Sequence, residues 1–336
     1  MIADTPTPLD GVDVVLADLD GVIYKGPHAI PYAVESINAA STSMRIGYIT
    51  NNASRTAASV AEHLSSLGLS VTPEDVITSP QAAVRLLADL VPAGSRVLVI
   101  GGAGLMDEVE KANFQPVFSA NDEPVAVIQG FTPEIGWLDL AEAAFALHTG
   151  IPWVATNTDW TIPVERGTAP GNGTLVSAVH VAVGRLPVVA GKPEAAIFEV
   201  AVERFGSETP LFIGDRLDTD ILGANRAGIA AALVLTGIDL AKQVLAADAD
   251  SRPLFILGDL RELHQPYPAT VETTDRDGSV VTQVGDAVVR RVGNVLHVDA
   301  LGDGRLDLLR AGAAAIWNSG SSIHALVVPA ELYSWV

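Results

Sequence analysis

The sequence predicts an α/β protein. Its core is a doubly wound parallel sheet, with an inserted α/β unit and a small α+β C-terminal region. Three observations carry that prediction. Short apolar runs that do not alternate with polar residues recur along the first 260 positions and are separated by Ala-rich helical stretches, the pattern of parallel strands covered on both faces. Several of these runs stop on an Asp, Thr-Asn or Gly-Lys group. After about Pro266 the pattern changes to alternating strands with Asp-Gly and Gly-Asn turns, which reads as antiparallel.

Taken in order, VDVVLADLD (12–20) is a buried strand running into a polar tip. IPYAVESINAAS (30–41) is a helix, MRIGYIT (44–50) a strand, and RTAASVAEHLSSLG (55–68) a helix closed by Gly68. RVLVI (96–100), PVAVIQ (124–129), PWVAT (152–156), PLFIG (210–214) and AALVLTG (231–237) are further strands. Helices fall between them at 73–91, 104–112, 137–149, 173–184, 193–205 and 218–228. The proline-bearing HQPYPAT (264–270) reads as a linker, followed by the hairpins, a helix at 305–317 and a strand at 323–328.

Composition narrows the function classes. With 336 residues, 49% apolar and 18% charged, the chain can bury a large core. Twenty basic against forty acidic residues give a net charge of −20. That argues against sequence-independent nucleic-acid binding, which needs cations to replace counterions, and against docking on anionic lipid. It leaves room for a small phosphorylated ligand. Without cysteine, thiol catalysis, disulfides and Cys-based metal sites are excluded. The seven histidines show no metal-ligand spacing. The N-terminus lacks the cationic and apolar regions of a signal peptide, and no apolar run spans a membrane. A cytoplasmic protein is expected, with a homo-oligomer left open.

Four segments carry the chemistry: Asp18-Leu19-Asp20-Gly21, Thr50-Asn51-Asn52, Gly191-Lys192-Pro193 and Gly214-Asp215-Arg216-Leu217-Asp218-Thr219-Asp220. In an open parallel sheet the ligand crevice lies at the carboxyl ends of the strands, so these segments are expected to converge. Asp18 and Asp20, two apart on an extended segment, point to one side. A carboxylate beside a divalent cation stays ionised and can attack phosphorus, while its neighbour holds or releases a proton. Asp215 adds a further carboxylate, and such an oxygen set suits Mg²⁺. Thr50 and the amides after it can bind phosphoryl oxygens, and Lys192 can neutralise charge.

DLDG (18–21), ITNN (49–52), GKP (191–193) and GDRLDTDI (214–221) resemble the four motifs of the haloacid dehalogenase superfamily. The likeness covers about residues 10–262 and is closest to the branch of nucleotide-type, pyridoxal, phosphoglycolate and 4-nitrophenyl phosphatases. TNNASR, PGNG, AGKP, GDRLDTDI and the appended tail resemble the actinobacterial glycerol 3-phosphate phosphatases. The resemblance implies that Asp18 is the nucleophile and forms an aspartyl phosphate. It implies that Asp20 is the acid and then the base, with its carbonyl on the metal, and that Thr50, Asn51 and Lys192 hold the phosphoryl group. It further implies that Asp18, Asp20 and Asp215 hold Mg²⁺, and that Asp220 orients metal-bound water.

Spacing places the insertion. Thirty-one residues separate Asp18 from Thr50, and 139 separate Asn52 from Lys192, so a cap lies between the second and third motifs. The expected divisions are a Rossmann-like core at 1–81 and 185–263, a cap at 82–184, and a C-terminal region at 266–336. That last region resembles an acetyltransferase-like appendage but lacks its acyl-carrier loop, and a structural or regulatory role is expected. Asn157, Thr158, Asp159 and Asn172 form a polar cap loop, with Arg166 nearby. Asn157, Asp159 and Arg166 are the candidates for substrate contact, against a plain turn role. Thr158 stands where the family more often has proline. Gly101-Gly102-Ala103-Gly104 lacks the third glycine of a dinucleotide loop and reads as a tight turn. A phosphomonoester hydrolase acting on glycerol 3-phosphate is therefore expected. The alternatives are a broader phosphatase for nucleoside monophosphates, pyridoxal phosphate or 2-phosphoglycolate, and a non-catalytic phosphate-binding scaffold.

Overall fold

The computed structural model describes residues 6–164 and 166–334. The chain forms two compact units, one from residues 1–46 and 209–336, the other from 47–208. In the second unit the helix Ser79–Leu90 lies against both Ala103–Lys111 and Ala195–Phe205.

In the first unit four strands run parallel in the order Phe255–Leu257, Ala230–Val234, Pro210–Gly214, Val14–Ala17. Val14 aligns with Pro210, and Leu211 with Ala230. Val14–Ala17 is buried throughout, as expected of a non-alternating strand with both faces covered. The expected helix at 218–228 is a π-type turn, Leu217–Ile221, leading into Leu222–Arg226. Such turns are frequent at functional sites.

The tail is a four-stranded antiparallel meander, Thr270–Thr274, Val280–Val284, Ala287–Val292 and Val295–Ala300. Its two-residue turns place Gly285 (φ 54°) and Gly293 (φ 58°) first, which suits a mirror-type hairpin turn. The helix Arg305–Trp317 packs on this sheet and on Ala241–Leu245, and Leu308, Leu309, Ala311, Ala313, Ala315 and Ile316 are all buried.

The stretch read as a linker is pinned rather than loose. A ring nitrogen of His264 lies 2.9 Å from the Ser36 carbonyl, and the Tyr267 hydroxyl accepts from Ile256 N–H at 3.0 Å. Arg310 completes the junction. It donates to the Ile256 carbonyl at 2.7 and 3.0 Å, to Glu262 at 2.8 Å and to Asp307 at 2.8 Å, with its guanidinium 4.4 Å from the Tyr267 ring centroid. Burial pushes the Glu262 carboxyl up and Arg310 pulls it down. The expected strand at 323–328 is instead a short 3₁₀ turn, Ile323–Ala325, with one bridge from Val327 to Val295.

In the second unit five parallel strands lie in the order Val188–Val189, Trp153–Ala155, Ala126–Gln129, Arg96–Ile100, Gln115–Val117. Helices Trp137–Leu147 and Asn172–Val183 cover one face, with Leu98, Val127, Trp153, Ala146 and Val179 at the centre. Arg45–Thr50, which ends in this unit, pairs in parallel with Val76–Thr78. A 3₁₀ turn, Pro73–Asp75, and that strand stand where the start of the helix is expected from residue 73. The helix starts at Ser79, where Gln81 accepts from Thr78 N–H at 3.2 Å and Pro80 occupies the first turn.

The Gly101–Gly104 turn is explained by packing. A Cβ on Gly104 would overlap the Arg55 carbonyl, and one on Gly102 would crowd Ser54 and Thr132. Backbone packs close at the start of that helix, where Gly104 N–H donates to the Ser54 carbonyl at 3.4 Å.

Arg310→Met keeps the aliphatic stem but leaves Glu262, Asp307 and the Ile256 carbonyl without their donor. Removing one member of a buried charged network costs several kcal/mol, so urea unfolding is expected to show about 3 kcal/mol of lost stability. A loss below about 0.5 kcal/mol would mean the tail is not held by this junction.

Candidate active site

Each unit carries one set of functional groups. In the first, Asp18 follows directly on Val14–Ala17, and its N–H donates to the Ile213 carbonyl at 2.8 Å. The chain then turns sharply. The Leu19 carbonyl accepts from the N–H groups of Val22, Ile23 and Tyr24, and Gly21 N–H donates to the Tyr24 carbonyl at 2.9 Å. Gly21 has φ +86°, and a Cβ on it would overlap Oδ2 of Asp215. Glycine is required there for both reasons. Asp18 is 9% exposed, whereas Asp20 is open to solvent.

Asp215 follows the strand Pro210–Gly214 and is 2% exposed. Its Oδ2 accepts from Ile238 N–H at 2.8 Å, and its carbonyl accepts from Asp239 N–H at 3.1 Å. A Cβ on Gly237 would overlap the same Oδ2. Asp220, 1% exposed, turns back along the loop, and its Oδ2 accepts from the N–H groups of Asp215 (3.0 Å) and Arg216 (3.2 Å). Asp239 accepts from Leu217 N–H at 2.7 Å, and burial pushes its carboxyl up.

Asp18, Asp215 and Asp220 each offer a carboxylate oxygen, and these lie within 4.8 Å of one another. Three hard oxygen donors with no nitrogen or sulfur among them fit Mg²⁺ or Ca²⁺ rather than a softer metal. Asp220, expected to act at one remove, offers one of these oxygens, and its Oδ2 also accepts from two loop N–H groups.

In the second unit Thr50 ends its strand buried, and its Oγ1 accepts from Asn52 N–H at 3.1 Å. Asn52 Oδ1 accepts from Ser54 N–H at 2.9 Å, closing an Asx turn. Asn51 is the hub. Its Nδ2 donates to both oxygens of Asp159 (3.1 and 3.2 Å) and to the Lys192 carbonyl (3.0 Å), and its Oδ1 accepts from Lys192 N–H (2.8 Å). The Asn51 carbonyl accepts from Ser79 Oγ and Asn157 Nδ2, both at 2.7 Å. Lys192 is 4% exposed, and its bond to Pro193 is cis.

The cap loop is similarly tied. Asn157 Oδ1 accepts from Asp159 N–H at 3.1 Å, and Asn172 Nδ2 donates to the Asn157 carbonyl at 2.8 Å. Cβ atoms on Gly171 and Gly173 would overlap the carbonyls of Asp159 and Thr158, so this loop needs its glycines. Arg166 stands exposed at the turn between the strands Thr161–Val164 and Gly167–Pro170. Sequence reasoning missed the Gly237-Ile238-Asp239 segment, whose hold on Asp215 spans more than twenty positions and has no motif of its own.

Comparisons with known proteins show the family. A model of the haloacid dehalogenase-like hydrolases matches residues 15–115, and a second, HAD-hydrolase-like model matches 189–263. The D-glycerol 3-phosphate phosphatase of Mycobacterium tuberculosis is 42% identical over 307 residues, covering 91% of this chain and 86% of the relative. The chain belongs to the haloacid dehalogenase-like hydrolases. A glycerol-3-phosphate phosphatase of Gallus gallus is 34% identical, covering 70% of this chain and 83% of its own. The crystal structure of the M. tuberculosis glycerol phosphate phosphatase in complex with magnesium superposes with a TM-score of 0.84 at 39% identity, covering 94% of this chain and 93% of that one. A match of that extent includes the C-terminal region.

Gly237→Ala displaces the Asp215 carboxylate while leaving its charge. Misplacing one ligand of a hard-cation site is expected to weaken Mg²⁺ binding at least ~10-fold by titration calorimetry. Unchanged affinity would remove Asp215 from the metal site.

Proposed function

We propose that the protein is a Mg²⁺-dependent phosphomonoesterase of small phosphate esters, glycerol 3-phosphate foremost, working through an aspartyl phosphate. The observation that carries this reading is the cluster of Asp18, Asp215 and Asp220 at strand ends, with Asp20 two residues beyond the nucleophile. The names of the mycobacterial and avian relatives support the substrate.

A Mg²⁺ held by Asp18, Asp215 and the Asp20 carbonyl, with Asp220 in the same cluster, supplies positive charge that lets a carboxylate approach a phosphate dianion. An Asp18 oxygen attacks phosphorus as the bond to the leaving alkoxide breaks. Asp20, protonated, gives that alkoxide its proton. As a carboxylate, Asp20 then takes a proton from water. The water oxygen bonds to phosphorus and the bond to Asp18 breaks, releasing inorganic phosphate. The Lys192 ammonium offsets charge on the transferring group, and the Thr50 hydroxyl and following amides, including that of Asn51, donate to its oxygens. Asp20 is exposed, as an acid that must exchange its proton with solvent needs to be.

In the cap we assign Arg166 to the polar end of the substrate. Asn157 and Asp159 act there through the loop they hold. A short polyol suits this hydrogen-bonding loop better than a ring that demands stacking. Among the described residues no helix is long and apolar enough to cross a membrane. With metabolite esters as substrates, we assign the protein to the cytoplasm.

Hydrolysis of 4-nitrophenyl phosphate with Mg²⁺ and its loss with EDTA separates an enzyme from a phosphate-binding scaffold. Asp18→Asn is expected to stay folded and lose at least ~10³-fold in kcat. Residual activity within tenfold would overturn the covalent mechanism. Across a panel, kcat/KM for glycerol 3-phosphate is expected to exceed that for AMP and for 2-phosphoglycolate by at least ~10-fold, about 1.4 kcal/mol. A competitor that matched it would overturn the substrate and leave the phosphatase reading standing.

A further inference from the structure

We propose that Asn51 is a positioning residue for Lys192. Its carboxamide clasps the Lys192 backbone from both sides and transmits the placement of Asp159 to it. This rests on the reading above that Lys192 offsets phosphoryl charge, and it changes the task of Asn51's side chain from contacting phosphate to holding the residue that does.

Four observations converge on the clasp. Oδ1 accepts the Lys192 N–H at 2.8 Å while Nδ2 donates to the Lys192 carbonyl at 3.0 Å. One side chain thereby satisfies both main-chain groups of one residue, as a neighbouring strand would. The other Nδ2 hydrogen goes to the Asp159 carboxylate, a charge-assisted acceptor that orients the amide and rules out its flipped form. The Asn51 carbonyl is held by Ser79 Oγ and Asn157 Nδ2, so the residue cannot follow Lys192 if that loop drifts. Finally, a Cβ on Gly191 would lie 2.6 Å from Asn51 Oδ1, so glycine is what lets the two segments close.

The physical need is clear from the side chain served. A lysine ammonium sits on four flexible carbons, and its position is only as good as that of its Cα. Supporting hydrogen bonds that fix a charged group to within a fraction of an ångström decide how much of its charge reaches the transition state. The hub is the meeting point of four chain segments, ending at Thr50 and containing Ser79, Asn157–Asp159 and Gly191–Lys192. Aspartate in place of Asn51 could still accept from Lys192 N–H. It would lose the donor to the Lys192 carbonyl and set a second negative charge against Asp159.

The test uses the full-length protein with Asn51→Asp, Asn51→Ala, and the double variant Asn51→Asp with Asp159→Asn. Melting curves check folding. Acetylation of Lys192 by a water-soluble amine reagent, followed by mass spectrometry, reads the clasp without reference to activity. Asn51→Asp and Asn51→Ala are expected to raise the Lys192 acetylation rate at least ~10-fold. They are expected to lower kcat on 4-nitrophenyl phosphate about 100-fold, with KM and the Mg²⁺ concentration for half-activation within threefold. In the double variant the two groups trade places, so the amide introduced in the cap loop can donate to the carboxylate introduced at the strand end. That exchange is expected to recover about tenfold of the lost kcat. Unchanged Lys192 reactivity, or a rise in KM at constant kcat, would overturn the inference, the second by making Asn51 a direct phosphate contact. If Asp18→Asn stayed active, the reaction scheme would fall, yet the acetylation rates would still report on the clasp.

Discussion

Three carboxylates held within 4.8 Å of one another are the constraint on which the first unit depends. Like charges at that range repel strongly where water is scarce, and two of the three are almost wholly buried. The loops around them supply the compensation. Ile238 N–H meets Asp215, and the N–H groups of Asp215 and Arg216 meet Asp220. Each of these contacts demands that backbone come close, which is why Gly21, Gly214 and Gly237 have no room for a Cβ. Together the three carboxylates offer hard oxygen donors of the kind a divalent cation takes. A site built this way is poised for an anionic substrate only when the cation is bound, which fits a protein whose overall charge is strongly negative.

The second unit answers a different problem, that of holding one cation still. Lys192 is buried in the loop that precedes Ala195–Phe205. Asn51 pairs with its backbone at the end of a strand, so that a rigid element sets the position of a flexible side chain. The cap loop reaches the same residue through Asn157 and Asp159. The cap loop and the Lys192 backbone therefore share one hydrogen-bond network.

Much of this was legible in the sequence because the groups sit where strands end. Asp18, Thr50 and Asp215 each follow an apolar run, and Lys192 follows a glycine and precedes a proline. Local pattern therefore marks them. Asn51 was visible as a residue, but not its function, since its partners Asp159 and Lys192 lie more than a hundred positions away. The Gly237–Asp239 segment was invisible because it carries no motif of its own and meets Asp215 more than twenty positions away. Among the elements, Arg305–Trp317 was readable to the residue from its apolar run. Gln115–Val117, Val188–Val189 and Val76–Thr78 were missed because two or three residues are too few to show a period. HQPYPAT resembled a linker in composition, yet Tyr267 is anchored by partners at Ile256 and Arg310 that composition cannot reveal.

The central claim is that phosphate passes through Asp18, and rapid acid quench with a ³²P-labelled phosphate ester tests it most directly. During turnover with Mg²⁺ the label should appear on the protein, survive acid, be released by hydroxylamine, and map to the peptide containing Asp18. It should be absent from Asp18→Asn. Steady turnover with no label on the protein, or label mapping to any other residue, would contradict the account.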